Sequence, residues 1–427
     1  MTRDAIRTLI DDCFRPNAPG QPARHSDVIA QLAGRLTPIS ATETVDLANA
    51  ASRTLATDLT APFALPGHTN AAVDGFAFAH AAYLVGAPLP VIGQSAAGRA
   101  FAGSVPEGSA VAILTGAVVP DGCDTVAMQE DCTRDRDSVV IPPGLKRGAN
   151  IRPAGEDIAA ETLIARAGQR IRPQDLAMLA ATGHATLSCY ARLSVAIAST
   201  GDELVTPGAR ALNRGEVYDA NSAMLSALAA SAGAAPQFLD RFPDDFATVR
   251  SALEAAAASH DVIITSGGAS KGTADHLADA LADLGQRYHW QINIKPGRPV
   301  LFGQIGDTVV VGLPGNPVAA FVCALLYVWP LLRRLGGAPW PEPMRLKLPA
   351  AFAVTGRKVG RREYWRGWIE DDEDGPRAQK FPRDGSGLIS GITAANGLIE
   401  IPEEHGDVSV GDAVTFIPFA SYGFTDR

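Results

Sequence analysis

The chain has 427 residues, which is more than one hydrophobic core usually holds; at roughly 100 to 200 residues per domain we expect two to four domains. Its 46% hydrophobic residues, 42 glycines and 30 prolines are typical of a globular protein rich in turns. A formal net charge of −9 argues against the basic surface that nucleic-acid binding requires, so no nucleic-acid partner is expected.

Cysteine and histidine follow no spacing that forms a metal site or a disulfide framework. The five cysteines never occur as C-x-x-C, and the eight histidines form no H-x-x-x-H pair. The start, MTRDAIRTLIDDCF, has the pattern of a short amphipathic helix and not of a signal peptide. The most apolar stretch, residues 317–329, is too short to span a bilayer. We therefore expect a cytoplasmic protein with no membrane partner.

The first half of the chain predicts a lead-in, helices and a small β domain. Residues 13–26 carry three prolines in a polar stretch, which is typical of a flexible lead-in. Residues 41–58 have helical spacing with a Thr/Glu start that favours a capping box. From residue 61 to 153, short β-branched and aromatic runs alternate with turn residues and predict β structure, and a helical pattern returns at 172–183.

From residue 193 onward, continuous apolar strands alternate with helical segments up to the helix that begins at residue 317. Such strands are typical of a mostly parallel sheet that is covered on both faces. A joint rich in proline and glycine, residues 336–343, then leads into a β-patterned tail. The sequence therefore predicts an α/β domain followed by a β domain.

Four loops after these strands carry the residues most suited to ligand binding, because ligands of open α/β sheets bind at the carboxyl ends of the strands. They are STGDEL (199–204), TSGGASKGTAD (265–275), KPGRP (295–299) and GLPGNP (312–317). The second loop offers free backbone N–H groups, a lysine and a helix N-terminus, which predict an anion cradle. It matches neither a Walker A loop nor G-x-G-x-x-G, and one such loop can be merely a tight turn. Four together favour a phosphate-like ligand.

Acidic residues in turns or at helix starts form a second group. They are Asp74, Glu156, Asp157, Asp202, Glu203, Asp219 and Asp275. Each suits an ordinary turn or helix cap. Together they also suit Mg²⁺, which takes one or two carboxylates along with substrate phosphates. Composition does not decide between these two interpretations.

Cations form a third group, in the KPGRP turn and in GRREYWRG (360–367). In the turn, Pro296 would stiffen the backbone and Gly297 would let it approach a ligand. Arginines that alternate with aromatic residues are typical of a solvated strand face beside a core face. If the tail folds back over the sheet, one oxyanion would be held by Lys295, Arg298, Arg361, Arg366 and Ser386.

Taken in order, nine motifs resemble one family. They are NAAVDGFA, ILTGAVVPDGCDTV, RGANIRPAGEDI, STGDEL, DANSAML, TSGGASKGTADH, KPGRP, GLPGNPVAAF and GSGLISGITAANGL. The series spans about residues 27 to 420 and resembles the bacterial molybdopterin molybdenumtransferases, or molybdenum insertases, which share the fold of the large domain of gephyrin. Residues 1–26 have no counterpart in this resemblance.

The resemblance implies a multidomain α/β plus β fold in an elongated, homodimeric subunit of four parts. A discontinuous helical domain would hold residues 27–60 and 151–188, after a lead-in of residues 1–26. An inserted β domain would hold residues 61–150, a mostly parallel α/β molybdopterin-binding domain residues 189–337, and a C-terminal β-barrel residues 338–427.

The implied reaction takes adenylylated molybdopterin and molybdate, hydrolyses the adenylate in a Mg²⁺-dependent step, and releases AMP. Molybdenum stays on the dithiolene of the cofactor, which a transfer partner in cofactor biosynthesis would receive. A dianion needs cations and N–H donors, and cleavage of a phosphoanhydride needs a metal that neutralises developing charge.

The resemblance assigns three sets of site residues. The metal and pyrophosphate-site acids would be Asp74, Asp157, Glu203, Asp219 and Asp275, with Glu203 and Asp275 as metal ligands. The ligand pocket would be lined by Ser266, Gly267, Gly268, Ser270, Lys271, Pro314, Gly315 and Asn316. The molybdate-side groups would be Lys295, Arg298, Arg361, Arg366 and Ser386, and Lys295 would act in catalysis with Asp74, Asp157, Glu203 and Asp275.

Three departures from the family pattern bear on function. Ala72 and Val73 replace the usual serine and methionine before Asp-Gly and affect packing. Thr273 leaves one carboxylate fewer near the phosphates, and Ala319 removes a hydroxyl donor to molybdate. A weak paralogue that binds or carries the pterin without inserting metal therefore stays open beside the insertase. A nucleotidyltransferase is disfavoured because adenylylation needs only the α/β part, and molybdenum and tungsten are not distinguished.

Overall fold

The computed structural model describes residues 22–268 and 276–424. In the N-terminal part of the chain, three nested pairs of strands surround an inserted sheet. The elements are α1 (His25–Arg35), β1 (Thr42–Asp46), β2 (Leu59–Thr60), β3 (Asn70–Ala71), β4 (Gly75–Phe78), β5 (Pro88–Ser95), β6 (Ala110–Ile113), β7 (Thr125–Met128), β8 (Thr133–Asp135), β9 (Ser138–Val140), β10 (Ile151–Arg152), β11 (Leu163–Ala165), α2 (Pro173–Ala181) and β12 (Thr186–Tyr190).

The pairing of these strands shows why the middle of this part is an insertion. Strand β1 pairs with β12, β2 with β11 and β3 with β10, all antiparallel. Between them, β4 to β9 form a six-stranded sheet in the order β7-β4-β6-β5-β9-β8. The β structure predicted for residues 61–153 and the helix predicted near residues 172–183 are confirmed, while the predicted domain boundaries stay predictions.

The helix predicted for residues 41–58 is wrong. Residues Thr42–Asp46 form a strand, followed by a short 3₁₀ turn at Leu47–Asn49. Val45 is buried and lies opposite Leu187 of β12, so cross-strand packing outweighs a weak helical pattern. Helix α1 contributes Val28 and Leu32 to the core of the α/β part.

The α/β part follows without interruption. Its elements are β13 (Ser194–Ser199), β14 (Leu204–Val205), β15 (Val217–Tyr218), α3 (Asn221–Ser231), β16 (Ala235–Phe238), α4 (Phe246–Ala257), β17 (Val262–Ser266), α5 (His276–Leu284), β18 (Gln286–Gln291), β19 (Ile294–Lys295), β20 (Pro299–Ile305), β21 (Thr308–Leu313), α6 (Pro317–Cys323) and α7 (Trp329–Leu335), with π-helical residues Ala324–Val328 between α6 and α7.

Its sheet has the order β16-β13-β17-β21-β20-β18. The first four strands are parallel, and β20 runs antiparallel to both of its neighbours. Val195 and Ile197 face one buried cluster, whereas Ala196 and Ala198 face another. The predicted mostly parallel sheet, covered on both faces, is therefore present.

One helix among the described residues is long and apolar enough to cross a membrane, and it lies in this core. It runs from Pro317 to Leu335, and 94% of its most apolar window is buried inside the protein. The predicted segment at residues 317–329 was judged too short to span, but the helix continues to Leu335. Burial, and not length, marks it as a core helix of the α/β part.

The C-terminal part curves into a partial barrel. Its elements are β22 (Leu346–Pro349), β23 (Arg362–Asp372), β24 (Gly375–Lys380), α8 (Ser390–Ala394), β25 (Gly397–Ile401) and β26 (Ala413–Pro418). The sheet has the order β19-β23-β25-β26-β22, and β24 pairs with β23. Ala350, the residue after β22, forms a β-bridge with Ala378 of β24. This bridge connects the two ends of the sheet. The arrangement of the chain in four elongated parts stays a prediction.

Strand β19 corrects one expectation from the sequence. The KPGRP turn was expected after a strand of the α/β sheet, at the carboxyl end of that strand. Instead, Ile294 and Lys295 pair in parallel with Arg362 and Glu363 of the C-terminal sheet. Two residues of the α/β part are therefore built into the other sheet, which brings the turn to the junction between the two parts.

A buried histidine ties α1 to both of these parts. His25 Nδ1 lies 2.8 Å from the Tyr327 hydroxyl, and Nε2 lies 3.1 Å from the Tyr364 hydroxyl, which donates to Glu400. This network needs one donor and one acceptor from the ring, which neutral imidazole provides. Burial and the nearby Arg362 lower the pKa of His25 to about 4, although Glu400 opposes the shift.

We expect acid to destabilise the fold through His25. In the unfolded chain its pKa is near 6.5, so the unfolded state binds the proton first, and the free energy of unfolding falls as pH drops from about 6.5 to 4. The shift corresponds to about 3 kcal/mol. Urea unfolding at several pH values would show a loss in wild type and in the exposed control His68→Gln that is absent from His25→Gln. An equal pH dependence in all three proteins would contradict this expectation.

Candidate functional site

A cavity of about 320 Å³ opens where the α/β part meets the C-terminal sheet. The turn at residues 294–299 forms one wall, and the end of β21 with the start of α6 forms another. Strand β23 and residues 380–386 close the opposite side. The cavity is therefore made jointly by two parts of the chain, and we call it the inner cavity.

All five residues predicted to hold an oxyanion line this inner cavity. They are Lys295, Arg298, Arg361, Arg366 and Ser386. The condition that the tail folds back over the sheet is met, because the backbone N–H of Val318 in α6 donates to the backbone carbonyl of Ser386 at 2.9 Å. The predicted pocket residues Pro314 and Asn316 lie on the same lining.

Lys295 is held at the edge of the inner cavity by a buried carboxylate. Its Nζ donates to Glu363 Oε2 at 3.3 Å, and its side chain is about half exposed. Glu363 also accepts from Trp365 Nε1 at 2.8 Å and lies 3.4 Å from Arg357 Nε. Three side chains thus contact the carboxylate, and two of them donate hydrogen bonds to it. Lys295 uses one of its three N–H groups there and also lines the cavity.

Gly297 has a different purpose from the one expected. Its φ is +100°, and a Cβ built on it would overlap the Sγ of Cys323 in α6. Cys323 Sγ donates to the Gly297 carbonyl at 3.3 Å. The glycine therefore lets the turn approach a helix, where the sequence suggested that it lets the backbone approach a ligand.

Arg298 carries an unused donor. Its Nε is buried and has no hydrogen-bond partner among the residues that the structure describes. Buried N–H groups in proteins nearly always have an acceptor, and an unpaired one in a cavity wall matches an anionic ligand. The charge of Arg298 is therefore available to a bound oxyanion.

Arg366 is committed to the protein more than the prediction implied. Its Nη1 donates to Leu388 O at 3.0 Å and its Nη2 to Arg383 O at 2.9 Å, while the guanidinium lies over the Phe381 ring. Burial lowers its pKa. These contacts fix the loop that carries Ser386, so Arg366 positions this loop in addition to lining the cavity.

Three charged residues in or next to the lining were not predicted. Lys380 Nζ donates to Asp384 Oδ1 at 2.8 Å, which lowers the pKa of Asp384, and Lys295 and Arg366 lower it further. Glu363 is the third; it contacts Lys295 without lining the inner cavity itself, and it lies on a strand whose two faces are both buried at this point. An alternation of buried and exposed residues therefore gave no signal for Glu363. Lys380 could have been noticed, because the chain has only six lysines.

Next to the inner cavity, three of the four strand-end loops converge. Ser266 at the end of β17 lies beside Ser199 of β13 and Leu313 of β21. Asn221 Nδ2 donates to Ser266 Oγ and to the Gly315 carbonyl, both at 2.7 Å. Asn221 was not predicted, although it stands inside the DANSAML motif.

Gly267 is required where two of these loops touch. Its φ is +89°, and a Cβ built on it would overlap Thr200 Oγ1. Gly315 lies against Gly267 in turn. The predicted pocket residues Ser266, Gly267 and Gly315 are thus brought together, and Gly268 follows directly in the chain. Predicted residues Ser270, Lys271 and Asp275, and also Thr273, lie outside the described residues.

The predicted acids are dispersed. Asp219 begins α3, where Oδ1 accepts from the backbone N–H groups of Asn221 and Ser222, both at 3.0 Å, and Oδ2 accepts from Ser222 Oγ at 2.6 Å. Glu203 is exposed after β13. Among residues 22–268 and 276–424, no three His, Cys, Asp or Glu side chains form a metal-binding group.

Asp74 and Asp157 belong to the N-terminal part and do not line the inner cavity. Asp74 lies just before β4, and its Oδ1 accepts from the backbone N–H and the hydroxyl of Thr115, both at 2.7 Å. These bonds lower its pKa and keep it ionised. Asp157 is exposed, and its backbone N–H donates to Leu65 O. Their roles as catalytic acids stay predictions.

Family models match three successive regions of the chain. The MoeA N-terminal region (domain I and II) matches residues 23–183, a probable molybdopterin binding domain matches residues 196–334, and the MoeA C-terminal region (domain IV) matches residues 347–419.

Full-length relatives agree with these matches. A molybdopterin molybdenumtransferase of Haemophilus influenzae is 37% identical over 381 residues, covering 88% of this chain and 94% of that protein. A molybdopterin molybdenumtransferase 2 of Mycobacterium tuberculosis is 35% identical over 399 residues, covering 91% and 96%. The crystal structure of a molybdopterin biosynthesis protein, MoeA, from Pyrococcus horikoshii superposes with a TM-score of 0.80 at 28% identity, covering 93% and 99%.

Proposed function

The chain belongs to the MoeA family of molybdopterin molybdenumtransferases, and we propose that it inserts molybdenum from molybdate into adenylylated molybdopterin with release of AMP. Its fold is multidomain, with the N-terminal, molybdopterin-binding-type and C-terminal domains of that family. Five predicted oxyanion groups line one cavity beside the converging strand-end loops, and this convergence supports the proposal most directly. A homodimer, a cytoplasmic location and a transfer partner are part of the proposal.

On the oxyanion side, each group has a distinct role. Lys295 and the buried Nε of Arg298 offer N–H donors to a dianion. The Ser386 hydroxyl would donate a further bond, and Arg366 keeps its loop in place. Donors that are already in position before the ligand binds need little reorganisation, so they stabilise negative charge that develops during the reaction at little cost in free energy.

On the pterin side, the strand-end loops would bind the phosphates. Asn221 joins the end of β17, at Ser266, to the loop after β21, at Gly315. Pro314 and Asn316 line the inner cavity, so the loop after β21 would contact both the pterin and the oxyanion. A loop shared in this way would bring the two substrates within reach of each other.

The residues present fit one Mg²⁺ ion in part. The carboxylate of Glu203 is exposed and forms no hydrogen bond or ion pair with the described residues. Its oxygens are therefore free to bind a metal ion. Asp219, in contrast, is occupied at the start of α3. Glu203 and Asp275 would therefore hold the ion together with substrate phosphates and waters. A bound Mg²⁺ would neutralise charge on the phosphoanhydride that is cleaved.

AMP release tests this function. Purified protein mixed with adenylylated molybdopterin, molybdate and Mg²⁺ should release AMP, EDTA should stop the release, and added Mg²⁺ should restore it. The Haemophilus influenzae relative serves as the positive control. No AMP from this protein, under conditions where the relative releases it, would contradict the proposal.

The alternative function is a paralogue that binds or carries the pterin without inserting metal. Ala319, which lines the inner cavity and is 4% exposed, favours it because its methyl group gives the oxyanion no hydroxyl donor. The paralogue predicts tight pterin binding that survives Asp275→Ala, with no AMP release to lose. The insertase predicts AMP release that Asp275→Ala abolishes.

We expect Ala319→Ser to strengthen molybdate binding. One added hydrogen bond is worth about 0.5–1.5 kcal/mol, so the KM for molybdate in AMP release should fall by about threefold to tenfold with little change in kcat. Ala319→Val controls for the added size because it brings no hydroxyl. A KM that rises in both variants would show that size, and not the missing hydroxyl, matters at this position.

A further inference from the structure

An apolar groove of about 560 Å³ lies beside helix α1, and we call it the α1 groove. Its other walls come from the π-helical residues and α7, from the joint at residues 340–343, and from the C-terminal sheet. Trp329, Trp340 and Tyr422 contribute aromatic rings to the lining. An apolar surface with a polar rim is typical of a site where another chain segment binds.

Helix α1 is apolar on two sides, and one of them faces this groove. Val28 and Leu32 are buried in the core of the α/β part. On another side of the helix, Ile29 and Ala33 line the α1 groove and are only partly buried, and Ala30 is exposed. Side chains as short as alanine let a second helix come close to α1. The groove therefore suits a helix as its occupant.

The chain itself has a segment within reach of the α1 groove. Residues 1–21 lie outside the described residues, and the point where they join the described chain is fixed, because Ala23 pairs in parallel with Ile292. His25, only two residues further on, already lines the groove. Residues 15–22 cover at most about 27 Å when extended. A segment that ends at residue 14 can therefore reach the groove.

The first 14 residues have the pattern of a helix that needs a partner surface. Their apolar residues follow the i, i+3, i+4, i+7, i+8 spacing of one helix face, namely Ile6, Leu9, Ile10, Cys13 and Phe14. An isolated helix shorter than about 12–15 residues is marginal in water, so it is stable only when this face is packed. The α1 groove provides an apolar surface of that kind.

The charges at the edge of the groove agree with those of the segment. Arg3 and Arg7 are four residues apart, so in a helix they lie on one side of the apolar face, next to Phe14. Glu342 lines the groove with a side chain that is 80% exposed, and its carboxylate lies 3.8 Å from Arg345 Nη1. An arginine of the segment can therefore pair with Glu342 while the apolar face is buried.

We propose that residues 1–14 bind in the α1 groove of their own chain as an amphipathic helix. Residues 15–22, with three prolines and one glycine, turn the chain back toward α1. The bound segment removes from water an apolar surface that would otherwise favour association between chains. This proposal involves none of the residues assigned to the reaction, so it does not rest on the proposed function.

A disulfide between the segment and α1 tests this placement in the full chain. Cys13 belongs to the apolar face, and Ala30→Cys or Ala33→Cys puts a second thiol on the side of α1 that lines the groove. Under mild oxidation of dilute protein, Cys13 should link to one of these positions within one chain, which peptide mass spectrometry identifies. Gln31→Cys, away from the groove on the same helix, should link about tenfold more slowly, because its tether is the same but its geometry is unsuitable. Equal rates at all three positions would overturn the proposal.

Two aspartate substitutions separate a bound face from a mere tether. In the variant that links fastest, Leu9→Asp puts a charge on the apolar face and should slow the linking about tenfold. Thr8→Asp, on the opposite face, should leave the rate unchanged. Thermal unfolding confirms that each variant is folded. Equal rates in these two variants would contradict the proposal. A link between two chains, with a rate that rises with protein concentration, would assign the groove to a second copy and overturn binding within one chain.

Discussion

Replacement of Lys295 by glutamine should lower kcat/KM for molybdate by about two to three orders of magnitude, which is the typical cost of losing one fixed donor to a developing negative charge. Lys295 lines the inner cavity and is the only lysine of the KPGRP turn. The change keeps a polar side chain, one atom shorter, and removes its charge. AMP release measured against molybdate concentration gives kcat and KM separately.

The ion pair with Glu363 needs its own control. Loss of Lys295 leaves this buried carboxylate with Arg357 and Trp365 as partners, and an undercompensated buried charge can disturb the site by itself. The double variant Lys295→Gln/Glu363→Gln separates the two causes. If activity stays low in the double variant, the cation itself is required. Activity in Lys295→Gln within twofold of that in Lys146→Gln, which removes an exposed lysine of the N-terminal part, would contradict the assigned role.

Replacement of Gly297 by alanine should destabilise the protein by about 2–4 kcal/mol. The backbone conformation at φ +100° is strained for a residue with a Cβ, and the new methyl group would overlap Cys323 Sγ in a closely packed helix. The free energy of unfolding in urea measures the effect. Because the turn carries Lys295 and Arg298, the KM for molybdate should rise in the same variant.

Two further variants separate the backbone cost from the clash. Gly356 has φ +71° and open space around its Cα, so Gly356→Ala should cost only about 1 kcal/mol. Adding Cys323→Ala to Gly297→Ala should remove the overlap, and a double-mutant cycle then gives the coupling energy between the two positions. If Gly297→Ala costs no more than Gly356→Ala, the close approach to α6 is not what the glycine provides.

Local patterns predicted the elements that are apolar over their whole length. The strands at residues 194–199, 262–266 and 308–313 lie in the region from residue 193 onward where continuous apolar strands were predicted. They are mostly apolar because successive residues face two different cores. The helix prediction for residues 41–58 was wrong because the strand there leaves little trace in the local pattern: only Val45 of β1 is buried. Its pairing partner, Leu187 of β12, lies more than 140 residues away. The pairing of Ile294 and Lys295 with the C-terminal sheet is also non-local, so the spacing of residues in the turn could not indicate it.

The sequence predicted the cations of the site but not the carboxylates that pair with them. Lys295 and Arg298 stand in KPGRP and Ser386 in GSGLISGITAANGL, which are motifs that carry the family resemblance, and they do meet in one cavity. Glu363 and Asp384 escaped notice because a carboxylate in a cationic site is recognised only once its neighbours are known. The same holds for Asn221, whose two acceptors come from different loops.

The pairing of β19 with β23 has a thermodynamic consequence. Since Lys295 comes from one part of the chain and Arg361, Arg366 and Ser386 from the other, docking of the two parts and binding of the oxyanion are linked equilibria. Molybdate at 100 times its dissociation constant would strengthen the docked state by about 2.7 kcal/mol if the separated parts do not bind it. A chain that ended at the joint near residue 337 would keep the strand-end loops but only half of an oxyanion site.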